Sequence, residues 1–172
     1  MQQLPPATWP RHPSGMDIRR DDLSSPEVQA LLAEHLQSMH RLSPPGSVHA
    51  LDLDGLRQPG VSFWTARSGA GLLGCGALKE LDPFHGEIKS MRTARAHLRQ
   101  GVARAMLTHI LAEAARQGYR RLSLETGAQA GFEPARRLYA RFGFEPCPPF
   151  DGYREDPNSV FLTRLLPGGP PA

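Results

Sequence analysis

Residues 86–126 constrain the fold more than any other stretch of the chain. "GEIKSMRTA" (86–94) alternates in polarity and reads as a strand. A small basic loop, "HLRQG", closes on Gly101. Val102–Gln117 then carries apolar residues at Ala103, Leu107, Ile110, Leu111 and Ala114, with His109, Glu113 and Gln117 on the other side. That spacing predicts an amphipathic helix, ended by Gly118 as a C-cap. "YRRLSLET" (119–126) reads as a second strand. Strand, crossover helix and strand make a βαβ unit, which is right-handed with parallel flanking strands.

The helix of this unit starts without an ordinary capping residue. The first N–H groups of a helix have no internal acceptor, and the macrodipole makes that end positive. Gly101 lets a phosphate approach the backbone closely, and Arg99 and Arg104 add side-chain charge. A ligand phosphate in place of a capping side chain explains the pattern; a plain turn with a packing glycine is the alternative. The segment is neither of two better-known phosphate loops. The chain has no G-x-x-x-x-G-K-S/T, and no G-x-G-x-x-G after an N-terminal strand.

The flanks complete one domain. Residues 1–15 hold four prolines and read as a flexible arm; Met16 is an alternative start, in which case deleting the arm leaves activity and Tm nearly unchanged. "MDIRRDDL" begins with a short strand. Ser25, Pro26 and Glu27 open a helix whose apolar stripe is Val28, Leu31, Leu32 and Leu36. "SVHALDLDGLR" holds a helical turn. "VSFWTARS" and "GAGLLGCGALKEL" form a hairpin. "EPARRLYARFG" is a helix between Pro134 and Gly143, and "FEPCPPF" and "SVFLTRLL" are closing strands, the first damaged by prolines. Residues 167–172 form a loose tail. The outer strands are antiparallel, so the sheet is mixed.

Bulk properties exclude several classes. A net charge of +3 without a long basic run, and 7% aromatic residues without a basic–aromatic stripe, argue against nucleic acid. No apolar stretch approaches a membrane span and no signal core opens the chain, so a cytoplasmic protein is expected. The seven histidines are scattered, so no metal is expected. Cys75 and Cys147 read as small buried hydrophobes, and Ser123 as a strand residue.

Two segments at the expected separation carry a family resemblance. Leu98-Arg99-Gln100-Gly101-Val102-Ala103 resembles the Q/R-x-x-G-x-G/A motif of the GNAT superfamily of acyl-CoA-dependent N-acetyltransferases. Gly101 and Ala103 match, whereas Leu98 replaces the family's Arg or Gln and arginine follows at Arg99. "ARRLYARFGFEP" resembles the second signature, A-x-x-L-Y-x-x-x-G-F, at Ala135, Leu138, Tyr139, Gly143 and Phe144. "GCGALKEL" resembles the family's third strand, and the likeness covers roughly residues 60–166.

The resemblance implies an α/β (α+β type) single-domain fold. Its mixed, mostly antiparallel sheet has splayed parallel central strands and flanking helices, with the domain at 16–166. It implies acetyl-CoA as co-substrate in the splay, no metal, and an amine acceptor that attacks directly in a ternary complex. The backbone at Ser90, Met91, Arg92 and Thr93 is expected to pair with pantetheine. Leu98, Arg99, Gln100, Gly101, Val102, Ala103 and Arg104 are expected to hold the pyrophosphate, and Tyr139 to protonate the departing thiolate. An alkyl ammonium, pKa ~10.4, must lose a proton before attack, so a general base is useful. Glu87 is the first choice, on one face with Lys89 and Met91; Glu125 and His85, the latter in a turn, are the others. Tyr153, Glu155 and Asp156 are candidates to shape an amine site, although Asp156-Pro157-Asn158 also reads as a turn. A homodimer is expected. A non-catalytic acyl-CoA sensor is the competing function.

Overall fold

The computed structural model describes residues 15–69 and 71–167. The expected N-terminal arm and C-terminal tail lie outside the described residues, apart from Gly15 and Pro167. The elements are β1 (Asp17–Arg20), α1 (Pro26–Leu42), α2 (Leu53–Leu56), β2 (Val61–Ser68), β3 (Gly71–Asp82), β4 (His85–Thr93), α3 (Val102–Arg116), β5 (Arg121–Gly127), α4 (Glu133–Arg141), β6 (Glu145–Pro146) and β7 (Ser159–Leu165). Ser25 caps α1 by accepting from the Val28 N–H, with Pro26 in the first turn. Gly118, at φ 86°, follows α3.

Seven strands form one sheet in the order β1-β2-β3-β4-β5-β7-β6. Every neighbouring pair is antiparallel except β4 and β5, which are parallel, as the βαβ unit requires. The sheet separates two cores. On one face, Met106, Leu107 and Ile110 of α3 pack with Trp64, Leu122, Tyr139 and Phe144; on the other, Val28, Leu31 and Leu32 of α1 pack with Leu56, Phe63 and Cys75. Leu107 and Ile110 are fully buried, each contributing about 1.5–3 kcal/mol of transfer free energy. β6 has only two residues, because Pro146, Pro148 and Pro149 supply no ladder N–H. Among the described residues, no helix is long and apolar enough to cross a membrane.

Two irregularities in β4 position the site. The first is a bulge. Cys75 faces Arg92 and Ala77 faces Lys89, so Gly76 alone spans Ser90 and Met91, and Ser90 adopts φ 53°. The extra residue shifts the alternation by one. Met91 therefore joins Ile88 against the α3 core, and the expectation that Met91 shares a face with Glu87 and Lys89 is corrected. The second is a parting of strands. β4 pairs with β5 only from His85 to Glu87, opposite Arg121 to Ser123. Beyond that, Arg92 and Thr93 stay paired with β3, while Leu124–Gly127 stay paired with β7. The two strands diverge with each held on its outer side.

Candidate active site

The cleft between the parted strands has a chamber and an outer vestibule. Beyond the open end of β4 the chain runs through a short loop into α3. Gly101 is its N-cap at φ 82°, in the left-handed region that favours glycine, and no side chain caps the helix. Arg99, Gln100 and Arg104 are exposed there, and Leu98 is 56% exposed, an unusual position for a leucine. Val102 instead turns inward and is buried, while Ala103 is half-buried. The first N–H groups of α3 are left without a side-chain cap, an arrangement suited to an anion.

The chamber, about 120 Å3, is lined by His35 and Met39 from α1 and Ser43 just after it, Glu87 to Met91 from β4, Glu125 to Gly127 from β5, and Phe132, Ala135 and Tyr139 beyond it. Gly127 is required at the end of β5: a Cβ there would lie 2.1 Å from the Phe132 ring. Tyr139 is buried, edge-on to Phe144 with ring centroids 5.7 Å apart, and burial pushes its phenol well above the ordinary value. It is both a core residue and a wall of the chamber.

The three candidate bases occupy different settings. Glu87 is 2% exposed, and one of its two carboxylate oxygens is engaged. Its Oε1 accepts from Lys89 Nζ at 2.9 Å and from the Tyr153 hydroxyl at 2.6 Å, and that hydroxyl accepts a second bond from Lys89 Nζ at 2.9 Å. The pairing with Lys89 is buried rather than on the surface. Glu125, half-buried on β5, lines the same chamber, and burial raises its carboxyl above the usual range. His85 is not in a turn: it opens β4, and its ring shares a 2.7 Å hydrogen bond with the Ser123 hydroxyl, which also bonds Thr163. Burial lowers the His85 pKa.

The vestibule, about 500 Å3, is lined by His49 and residues 151–157, and His49 is shared with the chamber. Tyr153 forms the partition, with its ring 5.1 Å from that of His49 and its hydroxyl on Glu87. Glu155 lines the vestibule. Asp156 accepts from the Ser47 hydroxyl at 2.5 Å and from the Asn158 N–H at 2.8 Å, as its turn sequence implies; these bonds lower its pKa. Cys75 is buried, donates to the Ser90 carbonyl, and has its thiol pushed up to about 12, which suits an inert core residue.

Sequence reasoning did not find the α1 wall. The expected stripe placed Leu36 inward, but Leu36 is half-exposed and His35 takes the buried position. The spacing of His35, Met39 and Ser43 at four-residue intervals was the available signal.

Parted parallel strands joined by a helix with an uncapped start define a class: transferases that take their acyl group from a CoA thioester. The match is direct. Residues 16–144 fit the acetyltransferase (GNAT) family, and the chain belongs to that family and is an N-acetyltransferase. It is 60% identical over 151 residues to the uncharacterized N-acetyltransferase YsnE of Bacillus subtilis, covering 88% of this chain and 100% of that protein. It is 54% identical over 149 residues to the uncharacterized N-acetyltransferase YedL of Escherichia coli, covering 87% and 94%. Its fold is that of a GNAT family acetyltransferase from Elizabethkingia anophelis solved with acetyl-CoA bound, at TM-score 0.64 and 18% identity, covering 90% and 100%.

Proposed function

We propose that the protein moves the acetyl group of acetyl-CoA directly to a primary amine of a small molecule or peptide, with both substrates bound at once. The parting of β4 from β5 beyond Glu87 carries this reading. It leaves the inner edge of Ser90–Thr93 open to pair with the amide groups of pantetheine, and leads to the α3 cradle, where Leu98–Arg104 hold the pyrophosphate. Tyr139, on the chamber wall, donates a proton to the departing thiolate. A phenol is already protonated near neutral pH, as a donor must be, and burial holds the proton more tightly, so donation depends on the thiolate forming beside the hydroxyl.

For the base, the geometry favours Glu125 over Glu87. Glu87 Oε1 is committed to Lys89 and Tyr153. Glu125 faces the chamber with a carboxyl tuned upward by burial, toward the working range of a base. The proposal includes a cytoplasmic location and a homodimer, the latter checked by sedimentation.

Release of free thiol from acetyl-CoA in the presence of a panel of primary amines tests the reaction. Activity through Glu125 requires its deprotonated form, so the rate falls with acid below its raised pKa. Glu125→Gln should lower kcat about 10²–10⁴-fold and remove this acidic limb, while Glu87→Gln keeps the limb. A limb retained in Glu125→Gln and lost in Glu87→Gln returns the role to Glu87.

A further inference from the structure

Two polar side chains of the chamber are left without partners by the protein itself. His35 on α1 and Ser90 at the β4 bulge are each 7% exposed, and neither His35 Nδ1 nor Ser90 Oγ has a hydrogen-bond partner. Both line the chamber. A buried group left unpaired costs about 1–3 kcal/mol, so such groups mark places where a ligand atom completes the network.

The charge balance of the chamber limits what that atom can be. Burial, with the Arg92 charge, lowers the His35 pKa to about 4, so its ring is neutral near pH 7 and offers one donor and one acceptor. A serine hydroxyl also does either. Lys89 is the chamber's one lysine or arginine among the described lining residues, and it is bound to Glu87 and Tyr153. Glu125 adds a carboxyl on the β5 side. Besides the paired Lys89, the lining offers a carboxylate only the imidazoles of His35 and His49, so a carboxylate entering this chamber meets no unpaired ammonium or guanidinium and costs several kcal/mol to desolvate. A neutral group that both donates and accepts suits either of these atoms. The apolar Met39, one turn along α1, leaves room for a short aliphatic link.

We propose that His35 and Ser90 form the specificity subsite for the acceptor, and that the acceptor is a short primary amine bearing an uncharged hydroxyl or carboxamide. The ammonium end lies toward Glu125 and the neutral polar end toward α1. This inference rests on the acetyl-transfer reading above and narrows its substrate class.

The test compares ethanolamine and glycinamide with propylamine and glycine in the thiol-release assay at saturating acetyl-CoA. The expected result is a kcat/KM for the first two at least tenfold above that for the last two. His35→Phe should bring the ethanolamine-to-propylamine ratio to about one, through KM more than kcat, and His35→Gln, which donates and accepts without charge, should restore part of it. Propylamine or glycine equalling ethanolamine in the wild-type enzyme overturns the subsite but leaves the transfer reading standing. So does a His35→Phe variant that loses activity equally on both acceptors. Absence of thiol release with every amine overturns the transfer reading and the subsite with it.

Discussion

The two ends of β4 differ in how completely the protein satisfies them. From His85 to Glu87 the strand is hydrogen-bonded on both sides, and its polar side chains are partnered: His85 with Ser123, Glu87 with Lys89 and Tyr153. At Arg92 and Thr93 the strand is paired with β3 alone, and the Ser90 hydroxyl in the bulge has no partner. The closed end pins the two strands together; at the open end the inner edge of β4 and the Ser90 hydroxyl have no partner among the described residues. Between them lies the bulge at Ser90, which lets one strand serve both ends by turning Arg92 toward Glu34 of α1 while Met91 stays in the α3 core.

The largest effect is expected at Tyr139, which lines the chamber. Tyr139→Phe removes the hydroxyl and keeps the ring against Phe144. Turnover should fall about 10²–10⁴-fold with little change in Tm or acetyl-CoA affinity. Near-normal kcat, measured where chemistry limits the rate, reduces Tyr139 to a packing residue.

The closed end should respond in stability instead. Lys89→Met leaves the buried Glu87 without its cation, and unfolding by denaturant at neutral pH should show a loss of about 3–5 kcal/mol. Lys89→Met combined with Glu87→Leu should recover much of it. A single variant as stable as the wild type contradicts the view that this end is a pinned, charge-paired joint.

His35 sharpens the contrast from the open side. Its folded-state pKa of about 4 lies below the unfolded value of 6.5. Between these values the unfolded chain binds a proton at this site and the native state does not, so stability rises with pH and is lost as pH falls through the window. The contribution is up to about 3 kcal/mol. Comparing unfolding free energies of wild type and His35→Gln from pH 6.5 to pH 4 should show a shallower slope in the variant. Equal slopes place a charged imidazole in the native state.

The loop and helix start proposed to hold the diphosphate were legible in the sequence because they are local and made of backbone. Gly101 before an amphipathic helix, with Gly118 after it, fixes the loop, the helix start and the parallel crossover within one continuous stretch. The helix that carries Tyr139 was legible between Pro134 and Gly143. The acceptor half was not. Its walls come from α1, β4, β5 and the residues before β7, so the contact of Tyr153 with Glu87 spans 66 residues of chain. The bulge at Ser90 was hidden as well, since it arises from pairing with β3 and leaves no mark in the alternation of "GEIKSMRTA". That hidden residue misplaced Met91, and the inward turn of His35 replaced the expected Leu36.

The central claim is that the uncapped start of α3 holds the diphosphate of acetyl-CoA at the open end of β4. Calorimetric titration of wild type and Gly101→Glu with acetyl-CoA, and with S-acetylpantetheine as the ligand lacking the nucleotide diphosphate, tests it most directly. Gly101→Glu should weaken acetyl-CoA by at least about tenfold, or ~1.4 kcal/mol, and leave the weaker S-acetylpantetheine binding unchanged. A folded variant that binds acetyl-CoA with the wild-type Kd contradicts the claim.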